Sequence, residues 1–347
     1  MTAVLRGSVG APAARIMGLG AHRPARVVDN KEICRRIDSS DEWIRTRSGI
    51  VTRRWADDSE TLTVMAASAA GKALSEAGVR GDEVGCVLVA TVTHLLQTPS
   101  LAALVTHEIG ADGAAAFDLS AACAGFVYGM SVAHDMIRGG SVGGDRPYVV
   151  VVGAERLSDL TDLDDRSTAF LFADGAGAAV VGPSDTPGIS PIVWGADGSG
   201  ADLVRSRSDW RTAFAAAGAA APGEPAAPSW PAITQEGSKV FRWAAYAMAP
   251  VAVAALERAG ITAAELDAFV PHQANMRIID ALAKAIGLPA SVTIARDIAE
   301  QGNTSSASIP LAIDTLRASG AVARGATALL IGFGAGLVHA ALVVTLP

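Results

Sequence analysis

The chain has 347 residues, long enough for two modest domains or one large duplicated one. Half of the residues are hydrophobic and 18% are charged, so a large core can form and disorder is excluded over most of the length. A formal net charge of -7 argues against a nucleic-acid binder, and any anionic partner must be met by a local basic patch.

Residues 1–13 read as a loose tail lacking the continuous apolar core of an export signal, which predicts a soluble, cytoplasmic protein. From 14 to 185, short apolar runs alternate with helical spacing. VGCVLVATV (84–92), GAAAFDLS (113–120), YVVVVGA (148–154) and GAGAAVVG (175–182) are continuous apolar runs bounded by Gly or polar residues, as buried strands are. Between them, LTVMAASAAGKALSEAG (62–78) and AGFVYGMSVAHDMIRGG (124–140) have helical spacing. This βαβ order predicts an α/β fold with a largely parallel, covered sheet. Residues 186–232, rich in Ala, Pro and Gly, predict a connecting loop region before a second half at 233–347. The apolar stretch Ala328–Val344 is broken by Gly332, Gly334, Gly336 and His339, which fits strand–turn–strand and not a membrane span.

The second half repeats the first. ALSEAGVRGDEVGCVLV around Gly78 lies over ALERAGITAAELDAFV around Gly260, the segment from Asp118 lies over that from Asp297, and YVVVVGAERL from Tyr148 lies over TALLIGFGAGL from Thr327. Three segments in order at a nearly constant offset imply two copies of one α/β unit, with an active site between equivalent ends of the copies.

Three cysteines, Cys34, Cys86 and Cys123, are too few and too scattered for a disulfide framework or a zinc site. A free cysteine is ordinarily a packing residue, and Cys34 and Cys86 read that way. Cys123, in DLSAACAGF, sits where an apolar strand gives way to a helix; a helix N-terminus there would lower its pKa and favour the thiolate. His272, in FVPHQANMRII, follows an apolar strand on a polar turn, and Asn303, in EQGNTSSAS, occupies the turn of the second copy that corresponds to the cysteine turn of the first. Taken singly, such a His is commonly structural and such an Asn a capping residue. The internal symmetry brings all three to one end of the fold. A thiolate with neutral His and Asn donors suits acyl transfer followed by a step that generates an enolate. A cysteine protease would instead need the His as a base beside the Cys. GFGAGL (332–337) and ADGAGAAV (173–180) are incomplete dinucleotide fingerprints, read respectively as a tight turn lining the site and a strand of small residues.

IDSSDEWIRTRSGIVTRRWA (37–56), DLSAACAGF (118–126), FADGAGAAV (172–180), VPHQANMRIID (270–280), GNTSSASIP (302–310) and GFGAGL (332–337) together resemble β-ketoacyl-ACP synthase III of the thiolase superfamily, in particular its actinobacterial members. The resemblance runs from about residue 14 to the C-terminus. It implies a thiolase-like fold: two pseudo-symmetric βαβαβ halves in a layered α-β-α-β-α core. It implies that Cys123 is acylated by acyl-CoA, and that His272 and Asn303 promote decarboxylation of malonyl-ACP and the Claisen condensation that starts fatty acid synthesis. The backbone N–H groups of Cys123 and Ala335 would form the oxyanion hole. Trp43, Arg47, Arg166, Asn275 and Arg277 match positions that hold CoA, while Arg242, Arg277 and Lys284 would form the basic patch for the acyl carrier protein. Thr98 matches a position that closes the acyl pocket, contributed from the other subunit of a homodimer. No cofactor, metal, nucleic acid or membrane is implied. A starter-unit synthase or acyltransferase of a polyketide or other specialised pathway remains the alternative on the same fold. Ala335, Ala173 and Ser238 depart from the usual residues, and Val338–His339 follow GAGL where an aromatic is common.

Overall fold

The computed structural model describes residues 7–218 and 230–347. Of the tail, residues 1–6 lie outside the described residues, whereas the Ala11 N–H already bonds to the Ile137 carbonyl at 3.2 Å and Ala13 opens the first strand. The first half runs through β1 (Ala13–His22), β2 (Arg26–Asp29), α1 (Asn30–Ile33), α2 (Asp41–Ser48), β3 (Thr52–Trp55), α3 (Leu62–Ala77), β4 (Val84–Ala90), α4 (Leu101–Glu108), β5 (Ala115–Leu119), α5 (Gly125–Gly139), β6 (Tyr148–Arg156) and β7 (Asp174–Ser184). There follow β8 (Val193–Gly195), β9 (Val204–Ser206), α6 (Trp210–Gly218), β10 (Ile233–Gln235), α7 (Gly237–Ala259), β11 (Ala268–Pro271), α8 (Met276–Ile286), β12 (Thr293–Ile294), α9 (Ile298–Gln301), α10 (Ser308–Ala318), β13 (Thr327–Gly334) and β14 (Val338–Thr345).

Two five-stranded sheets have matching topology: β1-β7-β6-β4-β5 in one, β8-β14-β13-β11-β12 in the other. Strand by strand, β1 corresponds to β8 and β7 to β14. The expected largely parallel sheet is corrected here: β5, β4 and β6 run parallel, but β7 is antiparallel to both β6 and β1. Likewise β12, β11 and β13 are parallel and β14 turns back. The return strands follow their neighbours without an intervening α-helix, through 3-10 turns at Leu157–Leu160 and Ala335–Leu337, so they pair antiparallel. The connecting stretch 186–232 also differs from a plain loop. Within it β8 pairs with β14 and completes the second sheet, β9 pairs with β10, and α6 follows. Three-residue strands in a Gly- and Pro-rich segment carry too little periodicity to be read in advance; residues 219–229 lie outside the described residues.

The layering follows from alternation along each buried strand. Val149 and Val151 face a central core shared with Phe126, Met130, Ile309, Ile313 and Leu330, drawn from both sheets and from α5 and α10 between them. Val150 and Val152 point the other way, onto α3 and α4. Leu329 and Ile331 face α7 and α8 on the outer side of the second sheet. The result is the α-β-α-β-α order of a thiolase-like fold. Among the described residues α7 alone is long and apolar enough to cross a membrane by length and composition; its Ala244, Met248 and Ala252 are buried in that outer core.

The internal repeat extends to backbone detail. Gly78 and Gly260 both end their helices in the left-handed conformation, at φ 66° and 72°. Ala122 and Ser305, each opening a short 3-10 turn before α5 or α10, share the unusual φ values of 44° and 46°. Structurally, then, Cys123 corresponds to Ser306, a few positions along from the alignment of Asp118 with Asp297. The loops of the two copies differ in length just ahead of these turns.

Candidate active site

Cys123 lies in the 3-10 turn between β5 and α5, His272 directly follows β11, and Asn303 lies between α9 and α10. All three line one cavity of ≈ 640 Å³, together with Phe172, Trp243, Phe333, Gly334 and Ala335. Pairing fixes two of them. The His272 N–H continues the β11–β13 ladder to the Ile331 carbonyl at 2.8 Å. Asn303 is bridged in parallel to Phe172, its N–H bonding to the Leu171 carbonyl and its carbonyl accepting from the Ala173 N–H, both at 2.9 Å. The preceding Gly302 sits at φ 70°, ψ -166°, a region that favours glycine, and a Cβ there would lie 2.8 Å from the Arg53 Cβ.

The Asn303 Oδ1 accepts the Ser305 N–H at 2.9 Å, so its oxygen is occupied on the protein side and its two Nδ2 protons remain for the cavity. His272 is buried, against Phe333 at 5.4 Å between ring centroids, and burial pushes its pKa down to about 3. The imidazole is therefore neutral at physiological pH. Its Nδ1 lies 2.7 Å from the Ser308 Oγ, which also accepts the Gln273 N–H at 3.3 Å. The hydroxyl accepts the Gln273 N–H and keeps its own proton to donate to Nδ1; in that arrangement the ring proton is on Nε2, the tautomer these two bonds assign. Ser308→Ala removes this donor. For the condensation with malonyl-ACP that the resemblance implies, Ser308→Ala is expected to be about tenfold slower, as a small misplacement of His272 would make it, with partial recovery in Ser308→Thr; an unchanged rate would show that the tautomer is set elsewhere.

The lowered thiol pKa expected for Cys123 is not what the structure gives. Its sulfur is open to the cavity but deep below the molecular surface, and burial pushes the thiol up to about 12. The Glu155 charge adds to that rise, while the nearby Ser305 hydroxyl and the cysteine's own N–H oppose it. Desolvation of the sulfur outweighs the helix terminus. Cys86 is buried in the central core and Cys34 half-buried beside the small β2–β3 sheet, as packing residues.

At the cavity mouth, Trp43 packs edge-on against Phe170 at 5.4 Å, with the Arg166 guanidinium 4.7 Å and that of Arg47 5.8 Å from its ring centroid. Trp43, Arg47, Asn275, Arg277 and Arg242 line the cavity; Arg166 reaches it only through the Trp43 ring. The Asn275 side chain is committed to capping α8 through the Arg277 N–H and to the Arg47 carbonyl at 3.0 Å. Lys284, in the last turn of α8, and Thr98, in the exposed stretch 95–99, are not brought to the cavity of this chain. His339 packs over Gly195 of β8, where a Cβ would come within 2.8 Å of its Nε2, so this His serves sheet packing.

Several polar residues around the trio were not singled out from sequence. Glu155, Ser305, Ser306 and Ser308 are all buried. The available signal was an acid at the end of the otherwise apolar run YVVVVGAER.

Family models described as 3-Oxoacyl-[acyl-carrier-protein (ACP)] synthase III match residues 117–198 and, for the C-terminal part, 256–346. The β-ketoacyl-[acyl-carrier-protein] synthase III of Streptomyces glaucescens is 56% identical over 97% of this chain and 98% of its own length. The chain belongs to the β-ketoacyl-ACP synthase III family. A Streptomyces coelicolor member is 54% identical over 99% of both chains. Among solved structures, the priming β-ketosynthase of the R1128 polyketide biosynthetic pathway superimposes with a TM-score of 0.92 at 48% identity, covering 99% of this chain and 98% of that one. The synthase III of Aquifex aeolicus gives 0.85 at 37% identity, over 96% and 99%. Family membership makes this chain a condensing acyltransferase.

Proposed function

We propose that this synthase III loads an acyl group from acyl-CoA onto Cys123 and condenses it with malonyl-ACP, giving 3-oxoacyl-ACP, CoA and CO2 at the start of fatty acid synthesis. The observation that carries the residue assignment is the meeting of a thiol, a neutral imidazole and a side-chain amide on one cavity. In the first half-reaction the Cys123 sulfur attacks the thioester carbonyl, the bond to the CoA sulfur breaks, and the thiol proton leaves with CoA. The backbone N–H groups of Cys123 and Ala335 hold the tetrahedral oxyanion. In the second, the malonyl thioester oxygen lies against the His272 Nε2–H and the Asn303 amide. As the bond to the carboxylate breaks and CO2 leaves, the electron pair passes into the thioester, and both donors stabilise the enolate oxygen. The enolate carbon then attacks the acyl-cysteine carbonyl and expels the Cys123 sulfur, which takes up a proton. The thioester activates the acyl group and loss of CO2 supplies the carbanion, so the chemistry calls for neither cofactor nor metal.

An indole face and guanidinium groups suit adenine and phosphates, which supports assigning CoA to Trp43, Arg47, Arg166, Asn275 and Arg277. Arg242, Arg277 and Lys284 supply positive charge for an acidic carrier protein on an otherwise acidic enzyme. Residues 14–185 and 233–347 act as the two halves, joined through 186–232, in a cytoplasmic enzyme that meets its CoA and carrier-protein substrates there. Dimerisation is supported by β5, an edge strand with Phe117 exposed, and by the exposed Leu95 and Leu96. Pairing there would bring Thr98 to the partner's acyl pocket. Thr98→Phe is then expected to leave acetyl transfer intact and depress branched or longer acyl transfer roughly tenfold or more, as added bulk in an apolar pocket does; equal loss for all acyl groups would remove Thr98 from the pocket.

Intact-protein mass spectrometry with acetyl-, isobutyryl-, isovaleryl- and longer acyl-CoAs tests the reading. The adduct should form on the native chain and be absent from Cys123→Ala, and malonyl-ACP should discharge it as 3-oxoacyl-ACP. An adduct that malonyl-ACP leaves untouched would overturn the condensation step. The fit to the priming ketosynthase favours one second reading, the priming of a polyketide synthase. Faster discharge by a polyketide carrier protein than by the fatty acid carrier would establish it.

A further inference from the structure

Glu155, the penultimate residue of β6, is fully buried between the two halves, acts on Cys123 through its charge, and stands outside the steps above. Its Oε2 accepts from the first half: the Val92 N–H at 3.1 Å and the Thr91 and Thr93 hydroxyls at 3.2 and 2.8 Å. Its Oε1 accepts from the second half: the Ser305 and Ser306 hydroxyls at 3.1 and 3.0 Å. One carboxylate thus ties the end of β4 to the Asn303 turn. Burying an acid is costly, and a wholly apolar replacement would be cheaper if the site served packing alone.

The Ser305 contact leads directly to the chemistry. Ser305 stands at φ 46°, a conformation that is strained for a non-glycine residue and persists only when the surroundings hold it. Its hydroxyl is held by Glu155, and its N–H holds the Asn303 Oδ1 at 2.9 Å. Releasing the hydroxyl frees this backbone to relax, which turns the N–H away and unfixes the Asn303 amide. We infer that Glu155 is a positioning residue for condensation, aiming the Asn303 amide into the cavity by way of Ser305. This rests on the role proposed above for Asn303.

The same carboxylate lies close enough to Cys123 to disfavour its thiolate. Glu155→Gln should therefore act in opposite directions on the two half-reactions. Removing the charge leaves Cys123 alkylation by iodoacetamide as fast as in the native enzyme or faster, and acylation by acyl-CoA within about threefold. Because Gln cannot serve all the donors as acceptor, Asn303 loses its aim, and condensation with malonyl-ACP falls about tenfold or more, the scale of a small misplacement. Damage to the fold would instead slow both together. Ser305→Ala cuts the link and keeps the acid, giving a second route to the same loss of condensation should Glu155→Gln fail to fold; it also takes a hydroxyl away from the Cys123 sulfur, so its condensation is scored on enzyme already acylated at Cys123. Asn303→Ala is the reference: if it condenses normally, the role of Asn303 fails. If it stalls while Glu155→Gln or Ser305→Ala condenses at the native rate, or if alkylation and condensation fall in parallel in Glu155→Gln, the inference is overturned.

Discussion

His272→Ala and Asn303→Ala are expected to take up the acyl group from acyl-CoA and then stall. Neither side chain is needed to attack the first thioester in the scheme above, whereas both face the oxygen on which charge develops as CO2 leaves. Losing one such donor from a preorganised site costs about 10²–10³ in rate. The check is a mass-resolved acyl-enzyme on each variant followed by a malonyl-ACP chase; full condensation by either would end its assignment. The neutral imidazole adds a pH dependence. His272 titrates near 3 in the folded chain against 6.5 for the ordinary side chain, so the unfolded chain binds a proton that the folded one excludes. Its contribution to stability is therefore lost progressively as pH falls from about 6.5 towards 3. His272→Gln should lose less stability than the native chain over that window in acid denaturation. Condensation should show no acid limb from His272 above pH 5.

The layout of the fold was legible where each residue along a strand or helix carries a consistent signal. Val149–Val152 read as a buried strand because both faces are covered, and Gly78 and Gly260 marked matching helix ends. Strand direction was not legible: the run from Asp174 is as apolar as that from Tyr148, but it returns antiparallel because no crossover helix precedes it. β8 was hidden by length, since it gains its place from the β14 ladder and from Trp194 stacking on Tyr128 at 5.2 Å.

The trio at the site was legible as turn residues at equivalent ends of a repeat, but their supporting shell was not. Ser308 and Ser305 look like ordinary helix-start residues in GNTSSASIP; only the three-dimensional structure puts one beside the His272 ring and the other between Asn303 and Glu155. The pKa of Cys123 was misjudged for a related reason. A helix terminus can be read from local sequence, but desolvation depends on what the rest of the chain packs around the sulfur.

Gly334→Ala is expected to disable the first half-reaction as well as the second, and this separates it from the His272 and Asn303 variants. Gly334 is extended, at φ -173°, so its backbone tolerates any residue; the constraint is proximity. A Cβ at this position would lie 2.9 Å from the Cys123 nitrogen, 3.1 Å from its Cβ and 3.2 Å from its Sγ. The nearest of these atoms is backbone in the turn that presents the proposed nucleophile and oxyanion donor, so relief must come from moving that turn or the Ala335 turn. Overpacking of this kind costs about 1–3 kcal/mol, which a domain of this size survives. A shift of even about 1 Å at the reacting groups costs on the order of 10²-fold in rate. The variant should thus fold, melt several degrees low and form acyl-enzyme about 10²-fold more slowly. Gly71→Ala is the control, because a Cβ at that exposed position on α3 meets nothing within 4 Å; it should acylate normally and be slightly more stable, since Ala favours a helix interior over Gly by about 1 kcal/mol. If Gly334→Ala acylates within threefold of the native rate, the turn is more yielding than its contacts imply, and the close approach of Gly334 to Cys123 is not what positions the nucleophile.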